Sequence, residues 1–362
     1  MRLFLAGDLM TARGIDQVLP HPGNPELHEP FVRDAREYVR LAEEASGPIP
    51  SPVGFSYVWG ALEESLAPFR PGVRIANLET SVTYSDAFAR EKGIHYRMTP
   101  RNAEVLRAGS FDCLSLANNH VLDWGPSGLE ETMATLDAFG IGFCGAGKTA
   151  AAAAAPWRRD FPDGSRLSVF GVGDRSSGIG RSHAATVGQP GIRLKPSTRE
   201  AEHQISGEKD AVKVTSIHWG GNWGWEIPKR QQSFAHGMID RAGVSVVHGH
   251  SSHHPKGVEF YGGRLILYGI GDFINDYEGI RGHERYRPEL TTAYVVDIIE
   301  ETGAVTAVTA LAFRIRRFRL EPACASDTAW LAETLTRTSP RNGARFRQSG
   351  SSENTITVEP GT

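Results

Sequence analysis

Cysteine is scarce in this chain. The three present in 362 residues, Cys113, Cys144 and Cys324, are scattered, odd in number and form no CxxC pair. A disulfide framework and a zinc ribbon are thereby excluded, and a reducing compartment is expected. Cys113 and Cys144 sit in apolar runs and read as buried, inert thiols. Long apolar runs are also lacking. No stretch reaches the ~18 residues of a membrane span, and the N-terminal run Leu3–Ala6 is too short for the core of a signal peptide. The expectation is a soluble, cytoplasmic protein without a membrane span. Excess positive charge is missing as well. The net charge is −3, so bulk electrostatics offer nothing to nucleic acid. No internal repeat is visible.

Histidine, by contrast, is concentrated. Four of the 13 histidines fall between His248 and His254. The apolar run Gly243–Val247 leads into them, so they read as a histidine-bearing loop at the end of a strand. Imidazole is the commonest protein ligand for zinc-like metals, and open α/β sheets place their sites at strand ends. A solvated polar loop explains one or two histidines there, but not four.

Other strand ends supply matching groups. Leu3–Ala6 reads as a buried strand closed by Gly7-Asp8. Val73–Thr80 is a second strand and delivers Asn77 and Glu79. Phe111–Ala117 is a third and ends in Asn118-Asn119-His120, with Asp123 just behind. Ala211–Ile217 hands over His218. Amides and imidazoles at the ends of apolar runs are poor core material and good ligand material. Helices are expected at 31–45, 56–69, 101–109, 130–138, 150–155, 231–242 and 329–335, and an antiparallel closing pair at 291–299 and 306–317. Alternating strands and helices indicate an α/β sheet covered on its faces. Gly142–Thr149 fits a phosphate-loop spacing formally, but an alanine run follows and no Walker-B partner is evident, so it reads as a loop entering a helix. Residues 1–338 are expected to form one domain. Segments 20–56 and 173–210 read as lid insertions, and 339–362 as a mobile polar tail.

Asp8, Glu79, Asn119, His218, His250 and His253 mix carboxylate, carboxamide and imidazole, which suits Mn, Fe or Zn better than Ca or Mg. With six ligands the complement is one or two divalent transition metals. The ordered motifs resemble those of the calcineurin-like metallophosphoesterases, and more specifically the CapA family linked to poly-gamma-glutamate capsule synthesis. The resemblance rests on Ala6–Met10, Asn77-Leu78-Glu79, Ser115–His120 with Asp123 and Gly125, Ile217–Gly220, Gly249-His250 through Glu259, and Gly271-Asp272-Phe273. It implies a four-layer α/β/β/α sandwich. It also implies that Asp8 and His253 serve one metal, Asn119, His218 and His250 a second, and Glu79 bridges them. His120 becomes a proton donor or oxyanion stabiliser, oriented by Asp123. Two departures stand out: Met10 occupies the position of the histidine in DxH, and the His250 loop reads GHxxH in place of GHxH.

The function implied is a metal-dependent hydrolase of an anionic phosphoester or glutamyl-amide substrate, with Arg97, Arg175 or Lys148 holding the anion. The partners implied are a small-molecule or peptide substrate and biosynthetic proteins. The alternative is a non-catalytic subunit that binds an anionic polymer within a biosynthetic assembly.

Overall fold

The structure, a computed structural model, describes residues 1–206, 212–341, 343–350 and 352–361. The end of the expected 173–210 excursion, Ala211 of the expected strand, and residues 342, 351 and 362 of the expected tail lie outside the described residues.

Two sheets face each other. The larger has ten strands. Four parallel strands lie at its heart: Arg2–Leu9, Val73–Leu78, Cys113–Ser115 and Gly142–Cys144. Asp272–Ile274 pairs parallel with the first of these, and Leu290–Ile298 pairs antiparallel with it. The smaller sheet has six strands, with Arg166–Gly173, Val212–His218, Val246–His250 and Arg264–Leu267 parallel.

Side-chain alternation explains the layers. Leu3, Leu5, Val73 and Ile75 meet Leu167, Val169, Val212, Val214, Val246, Leu265 and Leu267 in a core between the sheets. The intervening Phe4, Ala6 and Ala76 turn outward to helix residues such as Leu62, Leu106, Leu129 and Met133. On the far side Phe170, Val247 and Ile266 turn outward to Phe234, Met238 and Ile239 of helix Lys229–Ala242. The result is the expected α/β/β/α sandwich. Cys113 and Cys144 are free and buried, as expected.

Several local expectations are corrected. Segment 339–362 is not a mobile tail. Ala344–Gln348 and Thr355–Pro360 pair with each other, and the second pairs with Val305–Arg316. Ala344, Phe346, Ile356 and Val358, spaced by two, fill the inter-sheet core. The expected helix 56–69 is broken into a short 3₁₀ turn, Tyr57–Trp59, and a helix, Leu62–Leu66. Within 173–210, helix Thr198–Ser206 packs Ala201 and Ile205 into the outer core. Segment 20–56 is tied down through Glu29, which forms a buried ion pair with Arg13. Among the described residues, no helix is long and apolar enough to cross a membrane.

Candidate metal centre

The parallel strands of both sheets end on the same side. Asp8, Asn77 and Glu79 come from the larger sheet, and His218 and His250 from the smaller. His248 and His250 lie within strand Val246–His250 and not in the loop after it. They share the parity of Val246, so both face the gap between the sheets. His218 shares the parity of Val212 and Val214 and does the same.

Asp8 reaches this face by a different route. Simple alternation would group it with Phe4 and Ala6 on the helix side. Between Leu5 and Asp8 the register against Ile75 and Asn77 slips by one residue. This bulge re-aims the Asp8 side chain toward the inter-sheet gap. Gly7 makes the bulge fit: a Cβ there would stand 1.7 Å from the Gly271 carbonyl oxygen. Ser251, at the end of the His250 strand, has φ +103, and its N–H donates to Asp8 Oδ2 at 3.1 Å. Non-glycine residues held in that region are costly and cluster at functional sites.

The resulting centre is fully buried. Asp8, His218 and His250 present ligating atoms within 4.8 Å of one another. His250 Nδ1 lies 3.6 Å from Asp8 Oδ1 and 2.9 Å from His218 Nδ1. His218 Nε2 lies 2.6 Å from Asn119 Oδ1 and 3.6 Å from Glu79 Oε1. The Asn77 amide donates to Asp8 Oδ1 at 2.8 Å and to Glu79 Oε2 at 3.2 Å. His253 faces Asp272, with Nδ1 2.9 Å from Oδ1, and Asp272 is the strand-register partner of Asp8.

Hydrogen bonds set the tautomers. The Ala6 carbonyl can only accept, so the proton of His248 is on Nε2, 2.8 Å away. His248 Nδ1 then accepts from the Ser216 hydroxyl at 3.0 Å, and Ser216 Oγ accepts from His250 Nε2 at 2.9 Å. His250 Nδ1 is left as a bare lone pair aimed at Asp8 and His218. His218 Nε2–H donates to Asn119 Oδ1, which leaves its Nδ1 bare as well. Two imidazole lone pairs thus converge on the Asp8 carboxyl group.

The charges are equally unbalanced. Burial and the nearby Asp272 push Asp8 up to about 7. Burial, Asp8 and Asp272 push Glu79 well above its usual range. Burial holds His218 and His250 well below theirs, so both are neutral. Among the described residues no Lys or Arg pairs with Asp8 or Glu79. Against burial, Asp272 and Asp8 raise His253, the nearest cationic group, and Lys92 pulls on Glu79 from further out. Clustered carboxylates beside neutral imidazoles are the donor set of a divalent transition metal. The residues present fit such an ion.

His120 stands at the rim of this cluster, its Nε2 4.0 Å from Glu79 Oε1. Nδ1–H donates to Asp123 Oδ2 at 2.7 Å, and the Tyr96 N–H also donates to Asp123. Lys92 pairs with Asp123 and donates to the Asn119 carbonyl at 2.5 Å. Burial pushes His120 down to about 4 against the pull of Asp123. Its neutral form has a bare Nε2, so it accepts a proton; the expected donor role needs the imidazolium, which burial disfavours.

The expected substrate cations lie elsewhere. Arg97 binds the Ser85 carbonyl at 2.9 Å and Asp86 at 2.8 Å, and covers the Trp124 ring at 3.9 Å. It is committed to that loop. Arg175 is exposed, one residue beyond Asp174, whose N–H donates to the His218 carbonyl. Lys148 is exposed in the turn before helix Ala150–Ala154. Met10 is buried among Ala12, Tyr96 and Tyr277, whose hydroxyl lies 3.7 Å from its sulfur. Sequence reasoning passed over Lys92 and Ser216, and noted Asn77 and Asp272 without giving either a role. Asn77 and Asp272 carried a visible signal, each as a polar residue closing an apolar run.

Comparisons with known proteins bear on this geometry. The family model described as bacterial capsule synthesis protein PGA_cap matches residues 2–277. A probable polyglutamine synthesis accessory protein of Mycobacterium tuberculosis is 42% identical over 351 residues, 95% of this chain and 92% of that protein. The PGA biosynthesis protein CapA of Bacillus subtilis is 30% identical over 207 residues, 55% of this chain and 52% of CapA. The crystal structure of the calcineurin-like phosphoesterase YfkN of Bacillus subtilis aligns with 93% of this chain and 97% of its own, at a TM-score of 0.45 and 10% identity.

Proposed function

The chain belongs to the family of bacterial capsule synthesis proteins, and from that premise we propose that it is a metal-dependent hydrolase acting on an anionic substrate, a glutamyl amide ahead of a phosphoester. The observation that carries this reading is the convergence of the bare Nδ1 atoms of His218 and His250 on buried Asp8, beside a second buried carboxyl group, Glu79. Asp8, His218 and His250 would hold the ion, with Glu79, Asn119, His253 and Asp272 adjacent. A divalent ion bound there polarises a carbonyl or phosphoryl oxygen and acidifies water near neutral pH. His120 takes up a proton at Nε2 while Asp123 and Lys92 hold its ring in place. The order of substrates follows the printed names of the relatives, which concern polyglutamine and PGA synthesis.

The test is turnover of γ-glutamyl oligomers and of a phosphoester by purified protein supplied with Mn, Fe or Zn. His120→Ala is expected to lower turnover by ~10²–10⁴-fold with metal content unchanged. Wild-type-like rates in that variant would remove His120 from the reaction. A second reading, a non-catalytic subunit that binds an anionic polymer, is favoured by Met10, which fills the DxH histidine position with buried apolar packing. Binding of glutamyl chains without turnover under any metal would move that reading ahead.

A further inference from the structure

A cavity of about 670 Å³ is lined by Arg287, Arg314 and Arg316 but also by Glu278, Glu284 and Glu289. Arg287 and Arg314 are already bound to Asp327. It offers no net attraction to an anion. A smaller cavity of about 240 Å³ does. It lies between the glycine-rich loop after His218 and the start of helix Lys229–Ala242, and Trp223, Glu226, Arg230, Gln231 and Lys256 line it.

The same loop connects this cavity to the metal cluster. Ser251 Oγ donates to the Gly220 carbonyl at 3.3 Å, and the His253 N–H donates to the Asn222 carbonyl at 3.0 Å. Trp223 lines the cavity, and its ring centroid lies 5.4 Å from that of His253. The cavity is therefore one side chain away from the residues that would hold the ion.

Its charged lining is net cationic, Arg230 and Lys256 against Glu226. Lys256 is only 6% exposed, and its Nζ donates to the Glu226 carbonyl at 2.8 Å. Its backbone N–H donates to the Gly269 carbonyl at 2.7 Å, and the Glu226 side chain is the one acid that acts on its ammonium among the described residues. Gln231 is 4% exposed; its Oε1, an acceptor, has no partner and offers nothing to an anion, so any contribution comes from its amide nitrogen. Its amide nitrogen faces Gly220, 2.9 Å from where a Cβ would stand there. The first-turn N–H groups of a 14-residue helix lie at the same mouth. Burying an ammonium and an amide beside a cavity is costly unless something pairs with them.

We propose that this cavity is an anion subsite that holds a carboxylate of the substrate, with Lys256 as the charge partner and Gln231 and the helix start as further donors. The inference deepens the hydrolase reading and rests on it. A glutamyl chain whose scissile amide lay at the Asp8–His250 cluster would place a neighbouring carboxylate here.

The experiment is calorimetric titration of the metal-supplied protein with a γ-linked glutamate trimer, its fully esterified analogue, and inorganic phosphate. Lys256→Met is expected to weaken trimer binding by about tenfold to a hundredfold and to leave metal content and ester binding unchanged. Arg230→Met, at an exposed position, is expected to weaken the trimer to a smaller degree and guards against a folding defect in the first variant. Equal trimer affinity in wild type and both variants would overturn the subsite. Phosphate that displaces the trimer at equal concentration would overturn its carboxylate character. Lys256-dependent trimer binding without hydrolysis would support the subsite and count against the hydrolase reading alone.

Discussion

Ser216 ligates nothing, yet the tautomer of His250 depends on it. Its hydroxyl is the one link between the Ala6–His248 hydrogen bond and His250 Nε2. Ser216→Val removes that link, and metal affinity is expected to fall about tenfold to a hundredfold. Ser216→Thr keeps the hydroxyl and should restore it. Nitrogen chemical shifts of His250 report the tautomer directly, and an unchanged Nδ1 signal in the valine variant would refute the relay. Asp8 makes a pH prediction. Its carboxyl is raised to about 7 by burial and Asp272, so below that pH an incoming ion must displace a proton. Apparent metal affinity should rise with pH, by about tenfold per unit for each proton displaced, through about 7 for Asp8 and until Glu79, also raised well above its usual range by burial, is ionised. Titration in buffers of different ionisation enthalpy counts the released proton. At this scale the sequence was readable wherever a polar group closed an apolar run, as with Asp8, His218 and His250. It was silent on Lys92 and Ser216, because a lysine in a loop and a serine inside a strand have no pattern that marks them.

Strands decide which way these groups point. The bulge at Gly7 separates Asp8 from the parity of Phe4 and Ala6. Gly7→Ala forces a Cβ onto the Gly271 carbonyl, and relieving the clash moves one of the two strands that carry Asp8 and Asp272. A loss of roughly 1–3 kcal/mol is expected, with weakened metal binding in the same variant; melting and metal content measure both. Strands Ala344–Gln348 and Thr355–Pro360 give a second prediction. A chain ended at residue 339 loses Ala344, Phe346, Ile356 and Val358 from the inter-sheet core and bares the edge of strand Val305–Arg316. Exposed edges of this kind recruit other chains, so the truncated protein should melt at lower temperature and scatter light on heating. Equal stability would show that these strands are dispensable. Their period-two pattern was present in the sequence, but the surrounding Arg, Ser and Gly residues outweighed it.

Across the whole molecule, Arg13 joins parts that are far apart in the chain. Its guanidinium, 2% exposed, binds Asp276 through two nitrogens and Glu29 at 2.9 Å, and stacks over Tyr38 and Tyr96. Tyr96 in turn packs on His120, with ring centroids 4.1 Å apart. Segment 20–56 is thereby fastened to the wall of the candidate site. Arg13→Met leaves two buried carboxylates without their cation, at a cost of about 3–5 kcal/mol. Denaturant unfolding measures it, and an unchanged midpoint would mean that Asp276 and Glu29 are held by other groups.

The sequence by itself determined the layered α/β class, the strand ends that carry the candidate ligands, and the family, because apolar runs broken by polar residues are local signals. Tertiary structure alone decided which side chains meet. The bulge that turns Asp8 and the Ala6–Ser216 relay each depend on contacts between residues more than 200 positions apart. Arg97 likewise bonds to its own loop and not to the cluster, which no spacing in the chain encodes. Local patterns record burial and direction along one strand; the pairing of two sheets is a property of the folded whole.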